Sequence, residues 1–157
     1  MLKEKRAADI ENTLAKYPPE RKRSAVMPLL FIAQEEYGYC SDEAIRDVAE
    51  ILYLDPTEVK SIAGFYTMFH EQPVGKYVIE VCDDLPCALK GADQFVSHCE
   101  NKLGIKAGET TPDGAFTLSV VMCLAACHRA PMCQVNGAYH YDLDEKKFDE
   151  LIEELRG

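Results

Sequence analysis

The pattern of hydrophobic positions changes once along this chain, near residue 73. Before that point apolar side chains recur every three or four residues, as at Val26, Leu29 and Ala33, which is the spacing of a helix. After it the runs KYVIEVC and AFTLSVVMC are nearly continuous in apolar and β-branched residues, which favours buried strands. The change predicts an α+β chain of two domains, a helical bundle over residues 1–73 and a domain with a small mixed sheet over residues 74–157.

Four helices are predicted in the first domain. The first covers residues 3–17 and ends at two prolines, and the second lies within residues 19–37, where Pro28 marks either a kink or the start of the helix. Gly38 suits the C-terminal cap of this second helix. The other two helices are predicted from the residues that begin them: Ser41 for the third, and Asp55 with Pro56 and a capping box closed by Glu58 for the fourth.

The second domain reads as strand, helix, strand, hairpin and helix. Both strands run directly into a cysteine, Cys82 in one case and Cys123 in the other. A helix is expected over residues 86–103, and Asn136-Gly137 is the expected two-residue turn of the hairpin. Asp144 is the predicted cap of the last helix. Between the domains the motif GFYTMF, residues 64–69, is expected to pack in the helical core, with a partner surface as the alternative.

Composition and charge narrow the function classes. The 157 residues carry a formal net charge of −10, which argues against a nucleic-acid partner and against binding to anionic lipid. No run of 18 apolar residues predicts a membrane span, and the charged N-terminus lacks the apolar core of a signal peptide. A cytoplasmic protein is therefore expected. Its seven cysteines are an odd number in a reducing compartment, so metal or redox chemistry is favoured over a disulfide framework.

Two cysteine pairs carry the candidate chemistry. Cys82 and Cys87 form a C-x4-C pair, and 35 residues later Cys123 and Cys127 form a C-x3-C pair. Zinc bound by four cysteines prefers tighter C-x2-C turns, although these pairs do not exclude it. A thioredoxin-like dithiol needs a C-x-x-C motif, which is absent. A 2Fe–2S cluster takes two thiolates on each iron, and two loops of two cysteines each supply them.

The chain resembles the thioredoxin-like 2Fe–2S ferredoxins, and within them the E-type subunit of NADH:quinone oxidoreductase, respiratory complex I. The resemblance runs from YPPERKRSAVMPLLFIAQEEYGY through GFYTMF and the first cysteine loop to TPDGAFTLSVVMCLAAC followed by AP. It implies an N-terminal helical bundle followed by a thioredoxin-like domain that holds one 2Fe–2S cluster. The implied ligands are Cys82 and Cys87 on one iron and Cys123 and Cys127 on the other.

The resemblance also implies partners and a location. The family's subunit packs against a flavoprotein subunit that binds FMN and NADH, beside other subunits of the peripheral arm, at the cytoplasmic face of the inner membrane. The chain would transfer electrons without catalysing hydride chemistry alone. The corresponding diaphorase subunit of an NAD-dependent hydrogenase or formate dehydrogenase is one alternative, and a zinc-stabilised interaction module is another.

Two features of the cysteine loops differ from the family pattern. Ala125 stands where a glycine is usual, so a positive φ there would carry a steric cost. Asp83 and Asp84 stand where small hydroxyl residues are common, and their charges predict a lowered reduction potential unless both carboxylates point into water.

The other cysteines and the histidines form no constellation with ligand or catalytic spacing. Cys40, Cys99 and Cys133 are expected to be small buried hydrophobic residues. His128 and Arg129 directly follow a cysteine and are candidates for contacts near the cluster, with a surface position as the alternative.

Overall fold

A computed structural model describes residues 1–157 of the chain. The chain forms two compact units, Met1–Pro73 and Val74–Gly157, and each is described by itself. The first unit contains helices alone, and the second contains a four-stranded mixed sheet with helices. This confirms the predicted α+β class. No helix combines the length and the apolar character that crossing a membrane requires.

The first unit is a bundle of five α-helices and one 3-10 helix. Their apolar faces enclose one core, in which Leu29, Leu30 and Val48 are fully buried. A 3-10 helix over Pro19–Ala25 leads directly into the third α-helix. The α-helices are α1 Leu2–Lys5, α2 Ala7–Leu14, α3 Val26–Tyr37, α4 Asp42–Leu52 and α5 Pro56–Phe65.

The predicted caps of this unit are present. The Ser41 hydroxyl accepts the Ala44 N–H at 3.1 Å, and the Asp55 carboxylate accepts the Thr57 N–H at 2.8 Å. Gly38 ends α3 with a φ of +81°. Pro28 is the third residue of α3, where its missing N–H has no helical acceptor, so α3 begins beside it without a kink at its centre.

Three predictions for this unit were wrong. The expected helix over residues 3–17 is two helices, because Arg6 leaves the helical region and its guanidinium binds Asp9 and Glu35. Glu58 closes no capping box, because its carboxylate pairs with Arg23. Within GFYTMF only the last residue is buried, at 4% exposure, whereas the others that carry large side chains are exposed: Phe65, Tyr66 and Met68.

The sheet of the second unit has the strand order β2-β1-β3-β4. The central strand β1 (Tyr77–Cys82) runs parallel to β2 (Phe116–Val121) and antiparallel to β3 (Cys133–Val135). The predicted hairpin is present, because β3 turns through Asn136 and Gly137, both with positive φ, into β4 (Ala138–His140). The strand β2 ends two residues before Cys123 and is therefore shorter than predicted.

Three helices complete this unit: α6 Leu85–Ala88, α7 Ala92–Leu103 and α8 Glu145–Arg156. The predicted single helix over residues 86–103 is interrupted between α6 and α7, where Gly91 has a φ of +90°. As predicted, Gly104 ends α7 and the Asp144 carboxylate caps α8. The helices α7 and α8 pack on the sheet around a core that includes Phe95, Phe116 and Phe148.

Candidate metal centre

The sheet brings both cysteine pairs to the same end of two neighbouring strands. Because β1 and β2 are parallel and Cys82 is opposite Val121, both chains leave the sheet in the same direction. The Asp83 N–H donates to the Val121 carbonyl oxygen at 3.2 Å, which continues the pairing by one step. Loops held this way by a sheet have a fixed position while their own backbone groups remain free to bind.

The first loop turns Cys87 back toward Cys82 through the single-turn helix α6. Asp84 caps this helix: its carboxylate accepts the Leu85 N–H at 2.9 Å, and its carbonyl accepts the Cys87 N–H at 2.7 Å. Both thiols are buried, with 2% exposure at Cys82 and 1% at Cys87. The Cys82 thiol lies 3.4 Å from the Met122 carbonyl oxygen, to which it donates. That contact joins the first cysteine to the chain that leads into the second pair.

The second loop presents its cysteines closer to the surface. Cys123 is exposed and Cys127 is half-buried. Ala125 has a φ of +55°, so the residue that replaces the usual glycine does adopt the left-handed conformation, at a cost of about 1–2 kcal/mol. The Ala125 N–H donates to the Cys123 sulfur at 3.4 Å. The loop therefore already directs a backbone donor at a thiol.

The four thiols lie close enough to influence one another electrostatically. Burial raises the pKa of the Cys87 thiol to about 12, and contact with Cys82 and the nearby charges of Cys127 and Cys123 act in the same direction. Four thiolates would repel one another in this small space, which a bound cationic centre would relieve. No three His, Cys, Asp or Glu side chains converge on one point where a single ion fits. Two separate pairs at one strand end match the two-by-two ligand set of a 2Fe–2S cluster.

Beneath the cysteines lies a small apolar layer, formed by Ala92, Ala126, Ala130 and Met132, against which Cys82 and Cys87 pack. It separates this end of the sheet from water on its inner side. The three other cysteines are buried elsewhere, as predicted: Cys40 in the helical core, and Cys99 and Cys133 in the core between sheet and helices. Burial raises the pKa of Cys40 to about 11 and that of Cys133 to about 12, so both stay protonated thiols.

Residues near the loops divide between surface and contact. His128 is exposed, as in the surface alternative. Arg129 makes contacts that the sequence did not reveal: its guanidinium pairs with Asp142 at 2.8 Å and lies 4.2 Å from the centre of the Tyr141 ring. Tyr139, also missed, donates its hydroxyl to the Leu124 carbonyl oxygen at 3.0 Å. The one signal for these contacts is that the hairpin directly follows the second cysteine loop.

The two acidic residues of the first loop have different environments. The Asp83 side chain is exposed, where solvent screens its charge, whereas Asp84 is half-buried at the cap of α6. We expect Asp84→Ala to destabilise the loop by about 1 kcal/mol and to speed cluster loss, because a cap is removed. Asp84→Asn keeps the cap and removes the charge, so the loop stays intact and the reduction potential rises.

A redox titration of both variants checks this expectation. Asp83→Asn serves as the control for charge removal at an exposed position, and its potential should change less than that of Asp84→Asn. Equal shifts in the two asparagine variants, or an unchanged potential in both, would contradict the assignment.

Comparison with known proteins identifies the family. The model of the thioredoxin-like [2Fe-2S] ferredoxin family matches residues 10–156. This chain belongs to that family. The thioredoxin-like fold predicted from the sequence is thereby confirmed, as is a 2Fe–2S cluster as the family's cofactor.

Two relatives place the chain within the thioredoxin-like [2Fe-2S] ferredoxin family, and both are E-type subunits of NADH-quinone oxidoreductase. The chain is 46% identical to the one numbered 2 in Rhizobium meliloti (strain 1021) over 148 residues, which are 94% of this chain and 87% of the relative. It is 48% identical to the one from Rickettsia prowazekii (strain Madrid E), covering 92% of this chain and 82% of the relative. The predicted resemblance to E-type subunits of this oxidoreductase is confirmed.

A solved structure supports the fold. This ferredoxin-family chain superposes on a chain of an NAD+-reducing [NiFe]-hydrogenase in the air-oxidized state with a TM-score of 0.71. The match covers 82% of this chain and 22% of that longer chain, at 24% sequence identity. At this identity the comparison shows the shared fold alone.

Proposed function

We propose that this chain is the E-type subunit of an NADH-quinone oxidoreductase and holds one 2Fe–2S cluster beside a flavoprotein subunit that carries FMN and NADH. The proposed cluster ligands are Cys82, Cys87, Cys123 and Cys127. The observation that supports them best is the meeting of both cysteine loops at one end of two parallel strands. When bound, the cluster supplies a site that accepts and returns one electron. The residues around it determine access, orientation and charge.

The chain's own residues would protect one side of the cluster and open the other. Cys82 and Cys87 are buried against the apolar layer, which excludes water from the inner side. Cys123 is exposed, so the outer side faces a partner. Electron transfer to a flavin requires a short path through protein, and the exposed ligand is the natural point of approach.

An apolar rim surrounds that exposed side. Its members are Leu85 at 69% exposure, Leu89 at 81% and Met122 at 78%. Large apolar side chains this exposed favour a docking surface over open water. The rim is continuous with the candidate metal centre, because Leu85 opens α6, Leu89 follows it, and Met122 precedes Cys123. We assign this surface to the flavoprotein subunit.

The helical unit would add docking area. Its exposed apolar side chains include Phe31 on α3 and, after α5, Tyr66 and Met68, with Phe65 at 76% exposure. Aromatic residues and methionine are enriched in the cores of protein interfaces. In this proposal residues 1–73 form a docking domain and residues 74–157 form the cluster domain. The assembled complex would hold the chain at the cytoplasmic face of the inner membrane, with other peripheral-arm subunits.

Charge inserted into the apolar rim tests the partner assignment. We expect Met122→Glu and Leu89→Glu to weaken association with the FMN- and NADH-binding subunit of the same organism by about tenfold or more. The physical reason is that burying an unpaired carboxylate in an interface costs several kcal/mol. Co-expression of the two subunits followed by quantitative co-purification measures the effect.

Asn101→Glu provides the matched control, because it adds the same charge at an exposed position near the end of α7. It should leave association unchanged. All three variants should retain the cluster's absorption. Wild-type affinity in both rim variants would contradict the assignment of this surface.

The alternatives separate by other observations. Genes for membrane subunits beside this one support the quinone oxidoreductase, whereas a neighbouring hydrogenase or formate dehydrogenase catalytic subunit supports a diaphorase role. A colourless protein that contains zinc would support the structural module.

A further inference from the structure

One peptide group in the second cysteine loop is bound on both sides. The Leu124 carbonyl oxygen accepts the Tyr139 hydroxyl at 3.0 Å. The Ala125 N–H, which belongs to the same peptide unit, donates to the Cys123 sulfur at 3.4 Å. In a trans peptide these two groups point in opposite directions. Holding the carbonyl therefore also fixes the direction of the N–H toward the sulfur.

The loop conformation needs such a restraint. Ala125 has a φ of +55°, which a residue with a Cβ adopts only when its surroundings fix it. A free loop would relax toward negative φ and would change the orientation of the neighbouring peptide. The Tyr139 hydroxyl is the side-chain group that binds this peptide.

Tyr139 itself is held in place by a stack. Its ring lies parallel to that of Tyr141, at 5.4 Å between centres and 10° between planes. The Arg129 guanidinium covers Tyr141 at 4.2 Å and pairs with Asp142. The Asp142 N–H in turn donates to the Arg129 carbonyl at 2.9 Å. The stack thus connects the hairpin to the chain that follows Cys127, so the hydroxyl is presented from a fixed position.

We propose that Tyr139 is a positioning residue that acts through the Leu124–Ala125 peptide to set the reduction potential of the cluster. This inference rests on the proposed function, in which Cys123 is a ligand. A hydroxyl that donates to a carbonyl polarises the N–H of the same peptide and strengthens its bond to the sulfur. Such N–H donors stabilise the added electron and raise the potential. Tyr139 is 42% exposed, so its hydroxyl contributes little to the stability of the fold.

Tyr139→Phe removes the hydroxyl and keeps the ring in the stack. We expect it to lower the equilibrium constant for cluster reduction by about two- to tenfold, the range for one ordinary hydrogen bond. At 59 mV per tenfold for one electron, the midpoint falls by about 18–59 mV. The unfolding midpoint of the cluster-free protein should not change. Tyr141→Phe is the control, since it removes a hydroxyl from the same stack without removing the donor to Leu124.

The measurement is a spectroelectrochemical titration of the purified, cluster-loaded chain, with electron–nuclear double resonance after exchange into D2O. An exchangeable proton that couples to the reduced cluster in wild type and changes in Tyr139→Phe, together with the lowered midpoint, supports the proposal. An unchanged midpoint and coupling in Tyr139→Phe, or equal shifts in both variants, overturns it. A wild-type chain without a cluster would instead overturn the proposed function on which this inference depends.

Discussion

Replacing any one of Cys82, Cys87, Cys123 and Cys127 with serine is expected to abolish stable cluster binding. Each thiolate is one of the four that the proposed cluster requires, and no other cysteine lies in the same apolar layer to replace it. The loss should exceed the roughly 10–100-fold effect of changing an outer contact of a metal site. Iron and acid-labile sulfide per chain, measured with the visible absorption of anaerobically purified protein, record it.

Cys133→Ala is the matched control. Cys133 follows Cys127 by six residues and is fully buried, yet it packs in the core between sheet and helices. We expect this variant to retain the cluster and to lose about 1 kcal/mol of folding free energy, since a small buried side chain becomes smaller. Cluster loss in Cys133→Ala as complete as in the four serine variants, or full retention in any of those four, would contradict the ligand assignment.

Phe148→Ala is expected to have the largest effect on stability, about 3–5 kcal/mol in the second unit. Phe148 is fully buried on α8, with its ring edge-to-face against Phe95 at 5.5 Å between centres. Its removal leaves a cavity between α7, α8 and the sheet that positions the cysteine loops. Urea unfolding followed by circular dichroism measures the change, fitted with separate transitions if the two units unfold independently.

Glu150→Ala on the exposed face of the same helix provides the comparison, with an expected change within about 0.5 kcal/mol. A loss below about 1 kcal/mol in Phe148→Ala would show that α8 contributes little to the core. The helical unit should keep its own transition in both variants, because Phe148 belongs to the core of the second unit.

The sequence predicted the elements that depend on local chemistry. Ser41, Asp55 and Asp144 each bind an N–H two or three residues ahead, so the cap and its partner lie within one short stretch of sequence. The Asn136-Gly137 turn is similarly local. Arg6 shows the limit of this reasoning, because the break there involves Glu35, which is 29 residues away.

The candidate site was predictable in its ligands and not in its support. Two cysteine pairs that follow two strands are visible in the sequence, and parallel pairing of those strands brings the pairs together. The restraint on the second loop joins Leu124 to Tyr139 across a hairpin, and neither residue type indicates it alone. The positive φ of Ala125 likewise depends on that tertiary contact, because an alanine favours negative φ in isolation.

Electron paramagnetic resonance of the anaerobically purified wild-type chain, as isolated and after dithionite reduction, tests the central claim most directly. We predict a silent oxidised protein that gives one rhombic spin-half signal on reduction, with iron and sulfide in equal amounts. A silent protein in both states, with zinc found by elemental analysis, would contradict the assignment of these four cysteines to an electron-transferring cluster.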